Sequence, residues 1–226
     1  MKNKTALIFG STGLTGSVLM TLLLNSDDYK KVKVFIRKKV SDQHPKLEQI
    51  VLNFENMEEV SYQLVGDEIY LCLGTTMAKA GSKEAFYKVD YTYTIKAATL
   101  AVENGVGQAI LISSMGADPA SMIYYSKVKG NVEKDLCKLP FQSIAIVRPS
   151  LLLGNRKEQR TGERIAAYVS KAISSLFVGP FRKYKAISVE AVATAMIKIA
   201  SNNKPGVKIY ESDKMELISK AQKINI

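Results

Sequence analysis

The sequence predicts an α/β fold built on a doubly wound parallel sheet, in one domain with at most a small C-terminal cap. Three observations carry this. Short β-rich runs alternate with longer helical patterns almost from end to end. Several of those runs are continuously apolar, as parallel strands buried on both faces are. A glycine-rich turn joins the first run directly to the first helix. Alternation at this spacing implies βαβ units with right-handed crossovers.

In chain order, strands are expected at residues 6–9, 32–36, 49–52, 68–73, 108–113, 143–147 and 207–210. Helices are expected at 14–25, 83–104, 123–138, 163–177 and 189–201. The second helix ends at Asn104-Gly105, where a left-handed residue closes a helix. Residues 57–64 are too short a segment to assign. The loop at 153–162 is polar and is placed to lie over a site, and the substrate-side loops are expected mainly after residue 150.

Composition sets bounds on function. At 226 residues the chain is long enough for one sizeable core and short for two full domains. With 46% hydrophobic and 23% charged residues, it is neither disordered nor fibrous. A net charge of +11 raises the question of a nucleic-acid partner. The basic residues are scattered, however, over Lys30, Lys31, Lys33, Arg37, Lys38 and Lys39, then 156–164 and 182–185, with no recognition-module signature. A solvated basic surface that also attracts a phosphorylated ligand accounts for them, and no nucleic acid is expected.

Cys72 and Cys137 lie far apart, and His44 is the single histidine, so ligand spacing assembles no metal site. Both cysteines read as reduced, and the chain as intracellular and cytoplasmic. The start, Met1-Lys2-Asn3-Lys4 and a short apolar run, lacks the length and cleavage site of a signal peptide. No run reaches the roughly 20 apolar residues a membrane span needs. Residues 165–181 are apolar enough to rest on a membrane, but Lys171 and the serines there fit a helix packed on its own core better.

The turn is Gly10-Ser11-Thr12-Gly13-Leu14-Thr15-Gly16, a GxxGxxG spacing between strand and helix. Such a context calls for a tight turn, close backbone approach to a pyrophosphate and close helix-to-strand packing, each served by the missing Cβ. Unpaired N–H groups at the helix start then receive phosphate, with Ser11 and Thr12 adding hydroxyls. The second strand runs into Arg37-Lys38-Lys39 and carries no carboxylate for a ribose 2′-hydroxyl. Arg37 suits a 2′-phosphate, reinforced by Lys38, so NADP(H) is preferred over NAD(H).

Ser113 and Ser114 fall at the end of the fifth strand, on the carboxyl edge where parallel sheets bind ligands. Eleven residues past Ser114, Tyr125 and Lys129 stand at i and i+4 and share a helix face. A free tyrosine titrates near pH 10, and a neighbouring ammonium favours its phenolate, which lets it exchange a proton with a substrate oxygen. A strand-end serine can hold that oxygen. Tyr124 is the confounder, but its i+4 residue is Val128.

Together these residues resemble the atypical short-chain dehydrogenase/reductases, a Rossmann superfamily with GxxGxxG and Ser–Tyr–Lys chemistry, and most closely the Tat-interacting-protein oxidoreductase subgroup. The resemblance is carried by Gly10 to Gly16, by Ser113-Ser114-Met115-Gly116-Ala117-Asp118, and by Tyr125 to Glu133, YSKVKGNVE. Arg148-Pro149-Ser150-Leu151-Leu152-Leu153 and Arg160-Thr161-Gly162-Glu163 add to it. It implies that Leu73, Gly74 and Thr75 line the cofactor cleft and that Lys129 also bonds the nicotinamide ribose. Pro149 to Leu151 would border the nicotinamide, and Asn53-Phe54 would lie near the adenine. Ser113 and Ser114 compete for the catalytic serine, with Ser114 preferred.

Three functions compete. The first is an NADPH-dependent reductase of a small carbonyl compound, with Tyr125 as proton donor. The second is a dinucleotide-binding regulator that reports redox poise to a regulatory protein partner. The third is a nucleotide-sugar epimerase or dehydratase, disfavoured because the chain is short for a substrate domain. Retention of serine, tyrosine and lysine favours the enzyme, since a sensor needs only the phosphate turn and Arg37. Substrate identity and oligomeric state stay open at this level.

Overall fold

The computed structural model describes residues 3–154 and 183–221. The helix expected at 163–177, the loop beyond Gly154, the basic cluster at 156–164, Arg182 and the Arg160-to-Glu163 segment lie outside the described residues. Strands run β1 (Lys4–Phe9), β2 (Tyr29–Ile36), β3 (Leu47–Val51), β4 (Glu68–Leu71), β5 (Gln108–Ile112), β6 (Ser143–Arg148), β7 (Leu152–Leu153), β8 (Ile187–Ser188) and β9 (Gly206–Glu211). Helices are α1 (Leu14–Leu24), α2 (Met77–Ala80), α3 (Lys83–Tyr87), α4 (Tyr93–Glu103), α5 (Tyr124–Leu136), α6 (Val189–Asn202) and α7 (Ser212–Lys220).

Seven strands form one wholly parallel sheet in the order β3-β2-β1-β4-β5-β6-β9, while β7 and β8 pair separately. This is the Rossmann-type α/β fold expected from the strand–helix alternation. The chain winds outward in one direction from β1 to β3 and in the other from β4 to β9. The order therefore reverses between β1 and β4, and a crevice opens there at the strands' carboxyl ends.

The apolar runs have a simple cause. Alternate residues of β1 serve two cores. Ala6 and Ile8 pack with Leu19 and Leu23 of α1, Met196 of α6 and Met215 of α7. Leu7 and Phe9 pack on the other face with Met57, Ala97 and Ala101 of α4, and Leu136 of α5. Both faces are buried, so no strand alternation survives in the sequence.

Several boundaries differ from expectation for identifiable reasons. The strand expected at 68–73 ends at Leu71: the Cys72 N–H still donates to Phe9 O at 2.8 Å, and the chain leaves the sheet after it. β3 and β5 each stop one residue short of their expected ends, at Val51 and Ile112. The helix expected at 83–104 is three pieces, α3, a π-helical turn at Lys88–Thr92 and α4, with helical dihedrals at both joins. Gly105 takes φ +82 and closes α4 as expected.

The unassigned segment falls in Phe54–Gln63, 3₁₀ turns broken by a kink at Asn56, whose φ of -108 and ψ of 45 are not helical. Two further helices, α2 and α7, give little periodic signal. One has four residues, and the other buries Met215 while leaving Leu217 exposed.

At the sheet's opposite, amino-terminal edge, Glu68 is buried against Lys4 Nζ at 2.8 Å and the Tyr29 and Tyr70 hydroxyls. Burial first, and Glu68 second, push both phenols above their ordinary range, so each stays a neutral donor to the carboxylate.

The turn after β1 is packed backbone to backbone. Gly10 has φ +88, and a Cβ there would lie 2.3 Å from Cys72 O and 2.8 Å from Leu73 N. A Cβ at Gly16 would lie 2.1 Å from Gly10 O. Gly10→Ala is therefore expected to cost about 3 kcal/mol, through left-handed strain and displacement of the Cys72–Leu73 backbone. Urea unfolding of the cofactor-free protein measures this, and an unchanged midpoint would contradict the close contact.

Candidate functional site

Helix α1 begins at Leu14 with Gly13 as its cap residue, and no side chain caps it. Its first N–H groups, on Leu14, Thr15 and Gly16, thus have no partner within the helix and no acidic residue beside them in the first turn. Gly13 N–H donates to Gly10 O at 3.0 Å, which folds the turn back under the helix start. Ser11 and Thr15 are buried, while Thr12 and Gly13 face outward at the mouth. An uncapped helix start behind a glycine cradle is a site for an anion.

Beside it, at the ends of β2 and β3, lies an open cleft of about 600 Å³. Arg37, Leu52, Asn53, Phe54, Lys88 and Tyr93 help line it. Glu55 holds the Lys88 ammonium at 2.6 Å and accepts from the Tyr93 hydroxyl. Arg37 makes no hydrogen bond or ion pair among the described residues, so its guanidinium fork is uncommitted. The Asn53 side chain is spent as a cap, accepting from Glu55 N–H at 3.1 Å. Lys38 is exposed and does not line the cleft.

On the other side of the crevice, α5 carries Tyr125 and Lys129. Tyr125 is 40% exposed, its ring tilted against the buried Phe86 at 5.9 Å. Tyr124 is committed elsewhere: its hydroxyl donates to Lys83 O at 2.9 Å. The two serines after β5 also part company. Ser113 Oγ donates to Glu133, which is clamped by the Arg148 guanidinium. Ser114 Oγ is buried with no hydrogen-bond partner. Its loop packs on α5 through the Asp118 N–H to Ser126 O contact at 3.1 Å.

The β5–β6 pairing continues beyond the strands, with Met115 N–H donating to Pro149 O at 3.0 Å. Pro149 is buried there, and Leu151 O accepts from Ile187 N–H at 3.0 Å.

Lys129 is 6% exposed, and its Nζ lies 2.8 Å from Asp90 Oδ1. Asp90 is 1% exposed, sits in the π-helical turn, and accepts the Thr75 N–H on its other oxygen at 2.8 Å. Burial pulls the ammonium down, but Asp90 first and Tyr125 next hold it above its ordinary value. The backbone of Gly74 passes directly over the pair: a Cβ there would lie 3.5 Å from Asp90 Oδ1 and 3.7 Å from Lys129 Nζ.

Sequence reasoning missed Asp90 and Glu133. A signal existed for both. Phe86, Asp90, Thr94, Ala97 and Ala101 form one buried stripe, so a carboxylate interrupts an apolar helix face. Glu133 likewise stands one turn beyond Lys129 on the buried face of α5. A carboxylate at such a position needs a cation, and each has one.

Against known proteins, a family model described as NAD(P)H-binding matches residues 10–203. The chain is similar to protein HTATIP2 of Rattus norvegicus, 37% identical over 170 residues, 74% of this chain and 70% of that protein. It is also similar to the mitochondrial protein FMP52 of Eremothecium gossypii, 31% identical over 212 residues, 92% of this chain and 93% of that one. Among solved structures, the Bordetella bronchiseptica enzyme WbmH in complex with NAD⁺ matches with a TM-score of 0.70 at 15% identity, covering 93% of this chain and 76% of that one. At that identity the likeness is one of fold.

The cytoplasmic expectation is overturned by the fungal relative, which is named as a mitochondrial protein. Reduced cysteines speak for reducing surroundings and carry no address within the cell. No helix among the described residues is long and apolar enough to cross a membrane. The glycine cradle, the uncapped helix start and the match across 10–203 agree: the chain belongs to the NAD(P)H-binding family of Rossmann-fold proteins.

Proposed function

We propose that the chain is an NADPH-dependent reductase of a small carbonyl compound, of the short-chain dehydrogenase/reductase type. The observation that carries this is the buried Ser114 hydroxyl, left without a partner at the carboxyl end of β5. A buried hydroxyl that forgoes a hydrogen bond costs about 1–3 kcal/mol. A substrate oxygen arriving at this strand end would recover it.

The residues present fit the dinucleotide. The N–H groups at the start of α1, with Gly10, Ser11, Thr12 and Gly13, would hold the pyrophosphate. Arg37 would take the 2′-phosphate, the adenine lying in the cleft against Leu52 and Phe54. Leu73, Gly74, Thr75, Pro149 and Leu151 would border the remainder. When bound, the cofactor supplies a hydride.

The chain's own part is to place and protonate the carbonyl oxygen. Ser114 Oγ donates to that oxygen and fixes it. Tyr125, at the solvent-facing mouth, delivers its phenolic proton as negative charge builds there. Lys129 stabilises the resulting phenolate from the same helix face. Ser113 has a supporting part, since Glu133 and Arg148 hold its hydroxyl and so set the strand end that presents Ser114.

Two measurements test this. NADPH oxidation against a panel of aldehydes and ketones should show turnover that Tyr125→Phe lowers about 100-fold or more, with NADPH affinity kept. Equal inactivity of both proteins, with tight NADPH binding, would leave a binding protein and not a reductase.

For the cofactor, Arg37→Asp should weaken NADPH about 10- to 100-fold, the worth of a charge-assisted contact, and leave NADH nearly unchanged. An equal loss for both would remove the 2′-phosphate from Arg37.

A further inference from the structure

Exposed apolar side chains taken one at a time mean little. Four of them stand on successive loops at one edge of the sheet. Met77 follows β4, Met122 and Ile123 follow β5, and Leu153 follows β6, three strands that lie side by side. Met122 is wholly exposed and Ile123 largely so, directly before the helix that carries Tyr125. These pieces are tied together. The Tyr124 hydroxyl donates to Lys83 O at 2.9 Å, and Phe86 meets both tyrosine rings at 5.9 Å, so the segment that follows Met77 is held against the start of α5. A Cβ on Gly154 would lie 3.2 Å from Leu14 Cδ1, which brings the end of β7 to the start of α1.

The polar side chains of the same loops turn back on backbone. Thr76 accepts the Lys79 N–H at 3.1 Å, and Ser82 accepts that of Ala85 at 3.0 Å. Asp118 accepts the Ala120 N–H at 2.8 Å, and Ser121 accepts that of Ile123 at 3.1 Å. Ser150 donates to Lys185 O. The Lys83 ammonium is turned over the Tyr124 ring, 5.4 Å from its centre. With Thr75 given to the cofactor wall, the Ser114 and Tyr125 hydroxyls are left to meet a substrate. Neither makes a hydrogen bond among the described residues.

A site of this composition recognises one oxygen and otherwise favours hydrocarbon. A second hydroxyl or a sugar ring would leave water without finding a partner on these loops. Methionine suits such a rim, because its unbranched, polarisable thioether packs on chains of different shape.

We propose that the substrate is an apolar monocarbonyl compound: an aldehyde or ketone whose one polar group is the oxygen to be reduced, its hydrocarbon part lying along Met77, Met122, Ile123 and Leu153. The product is the corresponding alcohol. Hydride joins the carbonyl carbon, the Tyr125 proton joins the oxygen, and the cofactor leaves oxidised. This inference rests on the assignment of Ser114 and Tyr125 to the reaction site, and it narrows the carbonyl compound to one chemical class.

The test is a binding series that needs no turnover. Straight-chain primary alcohols from propanol to nonanol, the products of the matching aldehydes, are titrated by calorimetry into protein saturated with NADP⁺. Affinity should rise about 4-fold for each added methylene until the rim is covered, the transfer value of a buried CH₂. Glycerol, with two further hydroxyls on the carbons of propanol, should bind more weakly than propanol. Met77→Ser and Met122→Ser, both at exposed positions, should each flatten the rise.

No binding, an affinity independent of chain length, or glycerol bound as well as propanol would overturn the proposal. Such a result beside Tyr125-dependent turnover of glyceraldehyde would remove the apolar substrate and leave the reductase standing. A rise with chain length in a protein that reduces no aldehyde would do the reverse.

Discussion

The contact between the ends of β1 and β4 governs the rest of this molecule. Where the chain leaves β1, the backbone of Gly10 lies against Cys72 and Leu73 closer than any side chain allows, and Gly16 closes on Gly10 from the other side. That meeting brings together the uncapped start of α1 and the loop carrying Gly74 and Thr75. It thereby fixes how far the anion site stands from the Asp90–Lys129 pair. Arg37, at the end of β2, takes its place because β2 is hydrogen-bonded to β1 in fixed register, Phe9 opposite Phe35. Distances across the whole crevice descend from one glycine-to-carbonyl contact.

Two buried ion pairs then organise α5. Lys129 points its charge to Asp90, and Glu133, one turn on, points the opposite charge to Arg148 at the end of β6. Each pair has hydrogen bonds to satisfy its spare atoms: Thr75 N–H on Asp90, Ser113 Oγ on Glu133. Such pairs contribute little net stability but are costly to break by halves. Their effect here is orientation. They fix the helix between β4 and β6, and with it the place of Tyr125 one turn before Lys129.

Much of this was legible in the residues, and the limits have physical causes. The central strands of the main sheet could be read because burial on two faces writes a continuous apolar run, which turns and glycines then bound. The edge strand β9, by contrast, is largely exposed and shows itself through its β-branched Val207 and Ile209. The glycine turn was legible for a related reason, since only one residue type satisfies the contacts at Gly10 and Gly16. Arg37 stood out through a carboxylate that was lacking. Ser113 and Ser114 could not be separated from their types alone: the distinction comes from Glu133 and Arg148, which are near in space and distant in sequence. Asp90 was missed because helix periodicity records where a residue faces and not which partner waits there. The short helix α7 escaped because its core contact is essentially one methionine.

The strand order carries a consequence for the making of the protein. β1 is completed by β4, and Lys4 is tied to Glu68 across 64 positions of chain. The glycine turn is made first, and the wall it packs against, Cys72 and Leu73, is synthesised some sixty residues later. A nascent chain therefore carries its glycine turn for several seconds, at ordinary synthesis rates of about 5–20 residues per second, before the turn can take its shape. During that interval β1 has β2 as its only sheet neighbour and an open, apolar edge. Pairings between segments distant in sequence are slow to close, so β1, an interior strand of the finished sheet, is the edge most exposed to wrong partners while the chain is being made.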